Sequence, residues 1–301
     1  MKHPGINLQN SFHNNIKEIL LHYTYASISF LDRDRIYHEN IHQARLCFKR
    51  IRSFIRLTQK AFPGNTYSEL NTFYRDQARV LSSIRDITAI IGISREMMKT
   101  RRSDSVKSFL KSYVNALQKQ RIHITHNPDL QNSKHEVIES LTIKAEEIKG
   151  LDLIGEPVDC LASGIKKIYK KGYHFLHLAT ENPDDHLLHE WRKQVKYLWY
   201  HFVFLNAFWP GIMNAFAKQN QQLSQLLGKQ HDYVILEHSL MQNRFADKKQ
   251  NTPRELKRSI KRAKERLTQS SLTFGKKVFV LSPVDFEDFM KRIFILEIQK
   301  Q

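Results

Sequence analysis

A histidine, an arginine and a lysine at one-turn intervals, His42, Arg45 and Lys49, recur 147 positions later as His189, Arg192 and Lys196. All three types hold anions. Guanidinium meets a phosphate or carboxylate with two parallel N–H donors, the lysine ammonium acts as a compact point charge, and imidazolium donates from both ring nitrogens. Spacings of three and four residues put such groups on one face of an α-helix. At about 100° per residue, Arg35, His38, His42, Arg45, Lys49, Arg52 and Arg56 form a stripe about 100° wide and about 30 Å long, with Ala44, Phe48, Ile51 and Ile55 opposite. In the second copy His189, Arg192, Lys193, Lys196 and Tyr200 share one arc, and Leu188, Trp191, Val195, Leu198 and Phe202 the other. A merely solvated face mixes Glu with Lys to form i, i+4 pairs. The first stripe carries no acid on its arc, and that concentration of like charge implies an anionic ligand.

Three further groups could do chemistry. Arg75, Arg79, Ser82 and Asp86 fall on one face of a single expected helix, where the carboxylate would fix arginine rotamers through charge-assisted bonds; Asp232 stands at the corresponding place in the second half. The dipeptide His231-Asp232 raises the alternative of a metal-dependent HD-type phosphohydrolase. Its counterpart is Arg85-Asp86, and arginine does not ligate metals, so the position accepts a cation and not specifically a ligand. The run Arg254, Lys257, Arg258, Lys261, Arg262, Lys264 and Arg266, with Leu256, Ile260, Ala263 and Leu267 behind it, reads as an amphipathic basic helix, either solvated or binding. No catalytic residue and no metal ligand is assigned, and no cofactor is expected.

The elements that must position these side chains are helices throughout. Apolar periodicity predicts spans at 11–31, 35–61, 67–92, 104–124, 133–149, 157–180, 184–208, 213–243, 253–273 and 284–299. Punctuation falls at Pro63-Gly64, Asn127-Pro128, Gly155 to Pro157, Asn182-Pro183, Pro210-Gly211, Pro253 and Pro283. The repeat extends beyond one helix: residues 81–86 correspond to 227–232 at a shift of 146, and Lys107 and Lys111 to Arg254 and Arg258 at 147. Two similar helical halves, 1–150 and 151–301, are expected, with net charges of +10 and +8 that make up the total of +18. The charge belongs to the whole body, not to a tail, which points to an extended polyanion. Nucleic acid is a weaker alternative resting on charge alone, because no zinc-finger spacing, RNA-recognition signature or basic zipper is visible and the aromatics sit at core phases.

With 301 residues, 41% of them hydrophobic, the chain is long enough to bury a sizeable core, and 10 Gly and 8 Pro are few for a sheet-rich fold. Cys47 and Cys160 are far apart and in no ligand spacing, so a reducing compartment is expected. Met1 to Asn15 is polar and shows no export signal, which makes the expected location cytoplasmic. Tyr197 to Ala217 lacks Lys, Arg, Asp and Glu. Pro210-Gly211 interrupts it and His201, Asn206 and Asn214 lie within it, so a buried helix and turn is expected and no membrane association.

These residues resemble a known family, the conserved histidine α-helical (CHAD) domain. His42-Gln-Ala-Arg45-Leu-Cys-Phe-Lys49-Arg50-Ile-Arg52 looks like its first signature, and His189-Glu-Trp-Arg192-Lys193-Gln-Val-Lys196 followed by Tyr200 like its second. Arg85-Asp86 and Gly228 to Asp232 match its L-G-x-x-[RHN]-D elements, and Tyr169-Lys170-Lys171-Gly172 is similar to its basic Y-R-R-G helix. The resemblance implies two pseudo-symmetric four-helix bundles around a central basic groove that binds inorganic polyphosphate, possible association with polyphosphate granules, and groove residues that also include Arg75, Arg79, Lys167, Lys170 and Lys171. Trp199 and Val203 depart from the second signature, where a basic and an acidic residue are usual, so the second copy is expected to line less of the groove. No E-x-E-x-K of the triphosphate-processing CYTH domain is present.

Overall fold

The computed structural model of the chain describes residues 4–33, 37–82, 85–100, 103–125, 127–242 and 251–300; the side chains of Tyr37, Arg85 and Asp86 fall outside the description, as does Arg35. The described residues form eleven α-helices and no strand: α1 (Phe12–Leu31), α2 (Tyr37–Leu57), α3 (Thr66–Val80), α4 (Arg85–Thr100), α5 (Asp104–Thr125), α6 (Pro128–Lys149), α7 (Pro157–Glu181), α8 (Asp185–Phe204), α9 (Pro210–Met241), α10 (Arg254–Val278) and α11 (Pro283–Ile298). The starts follow from local chemistry. Ser11, Asp184 and Ser282 accept the backbone N–H of Asn14, Leu187 and Asp285, and proline opens α6, α7, α9 and α11, where its missing N–H costs nothing. The charge-free stretch 197–217 divides as expected, into the end of α8, a 3₁₀ turn at Asn206–Phe208 and the start of α9. No described helix is long and apolar enough to cross a membrane.

One expected helix is two. The span 67–92 breaks after Val80, where the N–H groups of Leu81 and Ser82 turn back to the Arg79 carbonyl and Leu81 is buried. Neither Gly nor Pro marks the break, so the periodic pattern runs through it. Ser82 weakens the helix there, since serine hydroxyls compete for backbone groups. Asp86 consequently belongs to α4 and not to the helix of Arg75 and Arg79.

Two apolar cores form. The larger takes buried side chains from α1, α2, α3, α6, α7, α8, α11, the first half of α9 and the end of α10; the smaller packs α4, α5, the second half of α9 and the first half of α10. Each core thus draws on both sequence halves, and α9 runs through both.

At the centre α2 lies against α8 and α7. Phe48, Ile51, Phe54 and Ile55 of α2 and Trp191, Val195, Leu198 and Phe202 of α8 are all buried. Polar stitches fix the crossing: the Ser53 hydroxyl donates to the Tyr197 carbonyl at 3.2 Å, and fully buried His201 donates Nε2–H to the Ser53 carbonyl at 2.9 Å. Burial pushes the His201 pKa down to about 3, against the opposing pull of that hydrogen bond, so the ring is neutral at ordinary pH. Gly164 of α7 sits on the end of α2, where a Cβ would come within 1.9 Å of the Leu57 carbonyl oxygen.

Gly164→Ala is expected to destabilise the fold by more than about 3 kcal/mol, because backbone on both sides must move apart. Gly92→Ala, in an exposed helix position with nothing within 4 Å, should stabilise by about 0.5–1 kcal/mol. Denaturant unfolding of the two variants beside the parent protein checks both signs. For His201, the unfolded chain binds a proton below the ordinary value of 6.5 and the folded chain only below about 3. Its contribution is therefore complete above pH 6.5 and is lost as pH falls from 6.5 towards 3, with a slope of up to about 1.4 kcal/mol per pH unit. Melting temperature against pH should fall less steeply in this window for His201→Gln than for the parent.

Candidate functional site

A cleft of about 510 Å³ opens between α2, α3, α7 and α8. Ten Lys and Arg residues line it: Arg45, Lys49, Arg52 and Arg56 from α2, Arg75 and Arg79 from α3, Lys171 from α7, and Arg192, Lys193 and Lys196 from α8; His189, Tyr197 and Tyr200 complete it. Glu190 is the single carboxylate among the lining residues, paired with Lys193 at 2.5 Å. The part of the α2 stripe from Arg45 to Arg56 thus lies in the cleft while its apolar reverse builds the core.

The cations are held in place individually. Buried Arg45 donates to the Ala78 carbonyl, tying α3 to α2. Arg52 Nε donates to Asn71 Oδ1 at 3.2 Å, and Arg56 donates to the Arg52 carbonyl at 2.7 Å with its guanidinium 4.6 Å from the Tyr197 ring centre. Burial, with repulsion from Arg56 and Arg75 opposed by Tyr197, lowers the Arg52 pKa. On α3, Asp76 accepts from Arg75 at 2.9 and 3.2 Å and from Arg79 at 3.3 Å; the bond to Arg75 holds the Asp76 carboxyl below its usual range. Asp76 thus performs on α3 the kind of task expected of Asp86, whose side chain lies outside the described residues. Lys167 bonds Gln59 Oε1 at 2.7 Å at the rim, and burial followed by repulsion from Lys171 and Arg56 lowers its pKa. Lys170 is exposed and does not line the cleft.

A second cleft, of about 360 Å³, adjoins the first. His38, Glu39 and His42 from α2, Thr88 and Ala89 from α4, and Asp232 from α9 line it, and Arg45, Lys49, Arg192 and Lys196 belong to both clefts. The four cations that recur in sequence are therefore the shared wall between two cavities. Burial, then the charge of Arg121 on α5, lowers the His38 pKa, while Glu39 opposes them. Behind α8, the sequence element 227–232 supports the second signature. Gly228 leaves room for Arg192, since a Cβ there would lie 3.3 Å from Arg192 Nε, and the His231 ring lies 4.4 Å from His189. Buried Tyr200 has its pKa raised to about 12 by desolvation, against the pull of Arg50 and Arg192. Contrary to the expectation from Trp199 and Val203, α8 lines the first cleft along most of its length, although it supplies three Lys and Arg against four from α2. Trp199 instead stacks on Tyr200, with ring centres 4.9 Å apart. Among the described residues no group of three or more His, Cys, Asp or Glu is arranged to hold a metal ion.

Glu39, Asn71, Asp76, Arg121 and Glu190 are site residues that sequence reasoning missed. Asp76 and Glu190 had a usable signal, each lying within three residues of the cation it holds. Asn71 and Arg121 reach the site only through tertiary packing.

The class that these observations define is an all-helical domain with a cation-lined cleft between its central helices. The family model for the CHAD domain matches residues 28–241, and the chain belongs to that family. Its fold is similar to the crystal structure of the CHAD domain from the plant Ricinus communis, with a TM-score of 0.59 and 14% identity over 93% of this chain and 96% of that one. A comparison with curated proteins finds no match.

Gly228→Leu should push the Arg192 guanidinium out of its place without breaking α9, because leucine is a better helix former than glycine. Should the cleft take phosphate chains, affinity for tripolyphosphate, measured by calorimetry, is expected to fall about 5- to 150-fold, the roughly 1–3 kcal/mol of one charge-assisted contact, with helicity unchanged.

Proposed function

We propose that this protein holds inorganic polyphosphate in the paired clefts and does not chemically change it. The observation that carries the reading is the ring of ten Lys and Arg residues with one carboxylate among them. Fixed cations at several positions along α2 and α8 suit a chain of phosphates better than a single anion, because each residue can take a different unit. Aromatic surface for base stacking is scarce: Phe48 and Tyr200 are buried and Tyr197 is covered by Arg56, which favours a ligand without bases. The cleft offers cations and no activated nucleophile, so binding without turnover is the reading, and no cofactor is required. The cytoplasm, and polyphosphate granules within it, are the setting in which such a ligand would be met.

Long-chain polyphosphate is expected to bind with steep salt dependence, since several cations release counterions together, and orthophosphate should compete poorly. Affinity that barely changes up to about 0.5 M salt would refute an electrostatic cleft. Arg192→Ala with Lys196→Ala, and Lys49→Ala with Arg56→Ala, should each weaken binding by roughly 1–3 kcal/mol per lost contact, partly masked as the polymer re-registers on remaining cations. The second pair avoids Arg45, whose bond to Ala78 also supports the fold. Circular dichroism controls for folding. Release of orthophosphate or shortened chains in proportion to protein, with or without divalent ions, would instead support the HD-type phosphohydrolase reading of His231-Asp232.

A further inference from the structure

The cleft leaves one strongly charged surface unused. Arg254, Arg258, Arg262 and Arg266 occupy successive i, i+4 positions on α10. They form a row with steps of about 6 Å, running about 18 Å along the helix and drifting about 40° per step. All four are exposed, with exposed Lys257 and Lys261 beside them. The opposite face, Leu256, Ile260, Ala263 and Leu267, is buried in the smaller core, so packing fixes which way the row points.

Surface lysines elsewhere find a carboxylate three residues away, as in Lys149–Glu146 at 2.7 Å, Lys193–Glu190 at 2.5 Å and Lys300–Glu297 at 2.6 Å. Glu255 and Glu265 stand at that same spacing from Arg258 and Arg262. Yet among the described residues none of the four arginines enters an ion pair; the carboxylates that α10 does engage, Asp185 and Glu237, hold Lys264 at 2.7 and 2.6 Å. Those two acids, with Asp184 and Glu265, line a cavity of about 450 Å³ between α8, α9 and α10. Lys261 and Lys264 line the same cavity, so four carboxylates stand there against two lysines, and this net negative strip lies between the row and the start of α8.

We propose that α10 is a second phosphate-polymer site, taking inorganic polyphosphate independently of the cleft, so that one molecule holds two separate stretches of it. The ligand class rests on the reading of the cleft given above. Arginine matches phosphate oxygens with paired donors, and residues 254–266 include no aromatic side chain on which a base could stack.

The test compares the full chain with a ladder variant (Arg254→Gln, Arg258→Gln, Arg262→Gln, Arg266→Gln), a cleft variant that joins both cleft pairs (Lys49→Ala, Arg56→Ala, Arg192→Ala, Lys196→Ala) and their combination. Calorimetry with a short polyphosphate of defined length reads the stoichiometry, with circular dichroism as the folding control. Two ligands per unmodified chain, one for each single-site variant and none for the combination are expected. An unmodified stoichiometry of one that the cleft variant alone abolishes would overturn the second site and leave the cleft reading standing. Stoichiometry reduced by the ladder variant but untouched by the cleft variant would overturn the cleft reading and keep α10. In a parallel titration with duplex DNA, a ladder variant that loses DNA binding while still taking two polyphosphates would assign the row to nucleic acid and sink the proposal.

Discussion

The structure depends on packing two helices of like charge against one another. The α2 and α8 faces that carry Arg45, Lys49, Arg192 and Lys196 meet at one wall, an arrangement that Coulomb repulsion opposes. It is held from behind, where Phe48, Phe54, Trp191 and Phe202 are buried and hydrophobic burial outweighs the repulsion between the cations. Ser53 and His201 set the contact without adding charge, because His201 is neutral when buried. The other elements of the larger core complete it beneath this pair, and α3 and α7 also add banks to the cleft above it.

Within the cleft, the acids matter by position. Asp76 lies outside the residues lining the cleft yet aims two arginines that line it, and Glu190 holds Lys193 from within. A cation anchored on a neighbouring carboxylate loses rotamer freedom before any ligand arrives, so less of that cost remains for binding. Arg192 is placed by a different means, through the absence of a side chain at Gly228.

The all-helical class and the two signature helices were legible in the sequence because the relevant signal is local. Period-3.6 patterning separates Ala44, Phe48, Ile51 and Ile55 from the basic arc without reference to any partner. The break between α3 and α4 was not legible, since it carries neither Gly nor Pro and the apolar period runs through it. That error moved Asp86 onto the wrong helix and hid Asp76. Lys170 shows the limit of motif transfer: it stands beside Lys171 in sequence, but only Lys171 lines the cleft. Asn71 meets Arg52, and the charge of Arg121 is felt at His38, through helices distant in sequence, which no single-helix wheel reveals.

The course of α9 has a mechanical consequence. It is one uninterrupted rod of 32 residues whose first half is embedded in the larger core and whose second half serves the smaller. The smaller core has fewer buried side chains and should open at lower free energy, as a separate cooperative unit. Its helix α4 supplies Thr88 and Ala89, the far wall of the second cleft, whereas the first cleft is walled entirely by helices of the larger core. The two cavities that share four cations therefore differ in support: one is backed by the larger core throughout, and the other has a wall on α4 whose stability is that of the smaller core.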